Sequence, residues 1–145
     1  PKGTQVTVDH VEQHIGISKD YNVFELQRAL GQKDVERANR IVNYFEANPK
    51  NAPLAMVVPV LHAYFARVLV YQTLADKHDS AAAKAMKCSP YAVKDYARAA
   101  QSYSPAKVER IFGYLREADK KAKGRGNATI SDGMLLREAV FKILH

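Results

Sequence analysis

The stretch Leu54 to Leu74, LAMVVPVLHAYFARVLVYQTL, decides the fold. Leu54, Val57, Val58, Leu61, Phe65, Val68, Leu69 and Tyr71 leave almost no polar face before Gln72. No alternation of period two competes with that helical spacing. The segment is about as long as a membrane span, yet it carries Pro59, His62, Tyr64, Arg67, Tyr71, Gln72 and Thr73. It therefore reads as the core helix of a bundle. A helix apolar nearly all round belongs at the centre, with the others around it. Pro59, one turn in, should kink it or mark its true start.

Moving outward, helix signals follow one another with short breaks. Asn51-Ala52-Pro53 opens the central helix, with Pro53 near its first turn. Upstream, Asp34 caps a stripe of Val35, Ala38, Ile41, Val42 and Phe45 that Asn48-Pro49 ends. Before that, Asn22 with Glu25 forms a variant capping box for Val23, Leu26 and Leu30, and Gly31 stops them. Thr7 opens a short helix with Val8, Val11 and Ile15, ended by Gly16. Downstream, Ser80 is expected to cap a short helix through about Met86. Ser89-Pro90 and Ser104-Pro105 are matched helix starts, leading to Tyr103 and to about Lys123. After Gly124-Arg125-Gly126-Asn127, Ser131 or Asp132 caps the last helix, with Leu135, Leu136, Val140, Phe141, Ile143 and Leu144. The chain is read as an all-α bundle of five to seven helices, its short breaks suiting antiparallel neighbours.

With 145 residues, 47% of them hydrophobic and 26% charged, the chain supports one core. The opening Pro1-Lys2-Gly3 reads as the start of a piece cut from a longer protein. A single cysteine, Cys88, makes no internal disulfide and suits a reducing compartment. No secretory leader is evident at the start. The net charge is +7, and the segment 80–126 carries all of that excess. Such a bias suits an anionic partner.

Reactive constellations are not evident. No glycine-rich loop converges backbone N–H groups on a phosphate. His10 and His14 stand i, i+4 without a third ligand, and a solvated face explains them. No nucleophile, base and orienting group can be assembled, so no catalytic residue, cofactor or metal is expected. The sharpest local pattern is Ala81 to Tyr96, a helix, a break at Lys87-Cys88-Ser89 and a second helix. Ala83 and Val93 fit a helix-turn-helix register, and Lys94 and Arg98 would then face DNA. Lys120, Lys121, Lys123 and Arg125 gather at a helix C-terminus, where the helix dipole favours cations. These six residues are the candidate contacts for nucleic acid or an acidic partner. Tyr91, Tyr96, Tyr103 and Tyr114 recur nearby and read as core-edge or interface residues rather than base-stacking platforms.

The order of these features resembles the C-terminal domain of DNA polymerase III delta subunits, the clamp-loader component. Phe24-x-Leu26, then Ala29, then Asp34-x-x-x-Ala38 resembles the start of that domain. Leu54 to Leu69, ending Phe-Ala-Arg-Val-Leu, is similar to its central helix, and Pro90-Tyr91-x-x-Lys94 follows in order. Leu115-x-x-Ala118-Asp119 with Lys123-Gly124 is similar to a further family pattern. Asp132-Gly133 and the ending Phe141 to His145 look most like versions from Bacteroidetes-type bacteria. Val6 to Val11 resembles the last helix of an AAA+ lid domain. The resemblance implies that 1–20 is the lid's tail and linker and 21–145 a helical collar domain. It implies a cytoplasmic, non-catalytic part of the DNA polymerase III holoenzyme. That part packs beside delta-prime and gamma/tau subunits and meets DNA through the assembled complex. The sliding clamp would be reached only through an N-terminal domain, and no membrane is involved. The alternative is a stand-alone helix-turn-helix-like DNA binder using 80–126.

Overall fold

The computed structural model describes residues 19–124 and 130–145. The helix expected from Thr7, the His10 and His14 pair, and Arg125 lie outside them. Seven α-helices, one 3-10 turn (Pro49–Asn51) and no strand occur among the described residues. The helices are α1 Val23–Gly31, α2 Val35–Ala47, α3 Leu54–Thr73, α4 Asp79–Met86, α5 Pro90–Ser102, α6 Pro105–Gly124 and α7 Asp132–Leu144.

Local chemistry sets most helix starts. The Asn22 side chain accepts from the N–H groups of Phe24 and Glu25 at 2.9 and 3.0 Å. Asp34, Ser89, Ser104 and Ser131 each accept from the backbone N–H three residues on, at 3.1 Å. Each satisfies a donor the helix leaves open, contributing about 1 kcal/mol. Glu25 does not close a capping box; its carboxylate pairs with Arg37 of α2 at 2.6 Å. Ser80 is not a cap, since α4 starts at Asp79 after His78, which makes no side-chain capping bond.

Two helix ends use lysine where glycine is usual. Gly31 is the last residue of α1, but the left-handed residue is Lys33, with φ 52°. Lys33 and Asp34 donate to the carbonyls of Leu30 and Ala29, the paired bonds of a Schellman turn. Lys87 does the same after α4, with φ 57°, and Cys88 donates to the Ala83 carbonyl. The left-handed conformation costs a side-chain-bearing residue about 1–2 kcal/mol. Replacing Lys87→Gly is therefore expected to raise the stability read from urea unfolding by about 0.5–1 kcal/mol, net of glycine's larger unfolded-state freedom.

α3 touches α1, α4, α5, α6 and α7. Its N-terminus is fixed from afar: the Leu54 N–H donates to Asp132 Oδ2 of α7 at 2.8 Å, across 78 residues of sequence. Pro53 stands at the cap position with ψ 143°, and Pro59 lies inside the helix on its exposed side. The buried side chains of α3 are Leu54, Val57, Leu61, Tyr64, Phe65 and Val68, a single stripe at i, i+3, i+7, i+10, i+11 and i+14. Phe65 is fully buried at the middle of that stripe, edge-on to Tyr64 and Tyr103 with ring centroids 5.1 and 5.5 Å away. The Tyr103 hydroxyl donates to the Leu30 carbonyl at 2.6 Å and ties α5 to the end of α1. Gln72 closes α5 in turn, donating to the Tyr103 carbonyl at 2.7 Å.

Candidate partner-binding surfaces

The expectation that α3 is enclosed on all sides does not hold. Only 33% of its most apolar 18-residue window is buried, although that window has a mean hydropathy of 1.7. Ala55, Met56, Pro59, His62, Ala63, Val70 and Thr73 face outward and are exposed. Met56 and Val70 keep 42% and 39% of their surface open. Val58, Val60, Leu69 and Tyr71 flank the buried stripe and are half-buried against the core, and the side opposite the stripe is left as surface. By length and composition α3 could also cross a membrane; in this fold its stripe packs against five helices. His62 is an exposed residue on this face, its ring 4.8 Å from that of Phe112.

The candidate cations fall into two groups. Lys94 and Arg98 stand one turn apart on the exposed side of α5, with no carboxylate at ion-pair distance among the described residues. Ala83 and Val93 are buried, so α4, the Lys87 turn and α5 do form a helix-turn-helix-like corner. Lys120 lies on α6, exposed and likewise without an acidic partner. Lys121 is paired with Glu138 of α7 at 3.2 Å and Lys123 with Asp119 at 2.9 Å. α5 packs with α1, α3 and α4, whereas α6 packs with α3 and α7. The two groups therefore sit on helices with separate settings.

Sequence reading overlooked Arg110 and Arg116. With Gly113, Glu117 and Lys120 they line a shallow depression along the outer side of α6. A Cβ at Gly113 would meet nothing within 4 Å, so its missing side chain leaves that surface low. The spacing 110, 113, 116 or 117 and 120 was the available signal. Tyr96 and Tyr103 belong to the core, Tyr114 is half-buried beneath Lys107 and Lys142 at 5.5 and 5.8 Å, and Tyr91 is 84% exposed. Burial pushes the Tyr64 and Tyr103 hydroxyls well above the usual tyrosine range. Among the described residues no group of three or more His, Cys, Asp or Glu could hold a metal ion.

A helical fold of this kind is found in a clamp-loader protein. The Bacillus subtilis DNA clamp loader delta protein (YqeN) shares the fold, with a TM-score of 0.66 at 19% identity over 94% of this chain. The chain spans 39% of that protein's length. It belongs to the family of the DNA polymerase III delta subunit, C-terminal domain, whose model matches residues 20–137. Curated protein sequences give no significant match.

Proposed function

We propose that this chain is the collar domain of a delta subunit, holding that subunit in the complex that loads the sliding clamp on primed DNA. Family membership over residues 20–137 supplies the setting. The single observation that carries the role is the open apolar side of α3, a surface that costs free energy in water and is relieved by a protein neighbour. The neighbours on this reading are the delta-prime and gamma/tau subunits, and the location is cytoplasmic. The domain itself supplies contact and no chemistry. Residues from Tyr21 onward contribute to one core, which supports their grouping in the collar unit 21–145; on this reading 1–20 is the tail of a lid domain and its linker.

The test is co-elution and titration with delta-prime and gamma/tau subunits. Met56→Glu with Val70→Glu is expected to weaken association at least tenfold, about 1.4 kcal/mol or more. Both side chains are exposed, so the unfolding free energy should stay within about 0.5 kcal/mol of the parent. Unchanged association by the double variant would overturn the assignment of this face.

A second reading is favoured by Lys94, Arg98 and Lys120, three exposed cations with no acidic partner among the described residues. On that reading 80–126 binds DNA directly, with affinity falling steeply as salt rises. Loss of primed-DNA binding on replacing Lys94, Arg98 and Lys120, with subunit association untouched, would favour it.

A further inference from the structure

A cavity of about 120 Å³ opens between α1 and α5, at the end of the aromatic cluster. Phe24, Arg28 and Gly31 line it from α1, Asp95 and Arg98 from α5, and Tyr64 from α3 below. Tyr64 is 3% exposed, yet its hydroxyl has no hydrogen-bond partner among the described residues. The oxygen is not among the buried unpartnered side-chain atoms, so it opens to the groove, where an entering acceptor meets a free O–H donor. Arg28 and Arg98 are both exposed, and neither has a carboxylate at ion-pair distance among the described residues, Asp95 included. The groove thus presents one hydroxyl donor and two unneutralised guanidinium groups, with a net charge of +1 once Asp95 is counted.

We infer that the α1–α5 groove is a socket for one carboxylate-bearing side chain, Asp or Glu, of a protein partner. A carboxylate is acceptor-only and can take the Tyr64 hydroxyl on one oxygen and a guanidinium on the other. The net charge of +1 matches a single carboxylate, and the Asp95 carboxylate disfavours a phosphate chain. The volume suits one side chain, being a little below the ~150 Å³ cavity that admits a benzene ring. The rim also has the composition of protein contacts, with Phe24 at 61% exposure beside the two arginines. Gly31 keeps the floor open, because a Cβ there would lie 1.9 Å from the Tyr64 hydroxyl oxygen. The identity of the partner as a sister subunit rests on the collar reading; the chemistry of the socket does not.

The whole chain, ¹⁵N-labelled, is titrated with N-acetyl-glutamate N-methylamide, with its glutamine analogue and with inorganic phosphate. The glutamate probe should shift the Gly31 and Ala92 amides saturably in the millimolar range, and the glutamine analogue should not. Tyr64→Phe removes a hydroxyl that holds nothing in the fold, so it should unfold like the parent and bind about tenfold or more weakly. Arg28→Ala with Arg98→Ala should abolish the shifts. Equal shifts by both amino-acid probes, no shift by either, or tighter binding of phosphate would each overturn the inference. A second arm measures association with delta-prime and gamma/tau. If the parent associates and Tyr64→Phe does so equally well, the socket fails while the collar reading stands. If the parent does not associate, the collar reading fails and the titration alone decides the socket.

Discussion

Phe65→Ala is expected to lower the stability of this domain by about 3–5 kcal/mol, the range for emptying a buried aromatic site. Phe65 is fully buried and packs edge-on between Tyr64 and Tyr103. These rings join α3 to α5, and through the Tyr103 hydroxyl to the end of α1. Removing Phe65 leaves a void whose walls are held by other contacts, so the site collapses only in part. For a domain with marginal stability this is a large fraction of the total. Equilibrium urea unfolding followed by far-UV circular dichroism measures it. A loss below about 1 kcal/mol would mean that the aromatic cluster does not hold α3, α5 and α1 together.

Gly31→Ala comes next, and its sign is the informative part. In a helix free of neighbours this change would stabilise by up to about 1 kcal/mol. Here the new Cβ would fall 1.9 Å from the Tyr64 hydroxyl oxygen and 3.1 Å from its ring carbon Cζ. Tyr64 is buried among Phe65 and Tyr96 and has little room to withdraw. Overpacking of this kind costs about 1–3 kcal/mol, which outweighs the helix gain. Removing the hydroxyl with Tyr64→Phe takes away the closest contact and leaves ring carbon Cζ at 3.1 Å, which a shift of a few tenths of an ångström relieves, and Ala99 at 3.5 Å in ordinary packing. The double variant should therefore recover most of the loss, with a coupling of at least about 1 kcal/mol in a double-mutant cycle. Additive effects would place the cost of Gly31→Ala elsewhere than at Tyr64.

What could be read from the sequence was the local part of the fold. Asn22, Asp34, Ser89, Ser104 and Ser131 cap the helices they precede because their partners lie two or three residues on. The long-range part was hidden for the same reason. Asp132 was a cap candidate for its own helix, yet its carboxylate holds the start of α3. Gln72 looked like the polar end of an apolar run, and it closes α5. Gly31 looked like a stop, but Lys33 takes the left-handed turn and Gly31 makes room for Tyr64.

The candidate surfaces were legible only in composition. Hydropathy marked α3 as the most apolar helix, but it could not say that five neighbours would cover a single stripe. The basic excess in 80–126 was plain from counting. Which cations are spent on pairs was not, since Glu138, the partner of Lys121, comes from another helix. The α1–α5 groove joins residues 24 to 98 through three helices, and no window of sequence contains it.

The account depends most on a neighbour covering the open side of α3. Hydroxyl-radical footprinting of Met56, in the chain alone and in the assembled clamp loader, measures that directly. The prediction is ready oxidation of Met56 in the free chain and strong protection in the complex. Equal oxidation of Met56 in both, with the complex shown to be intact, would contradict it.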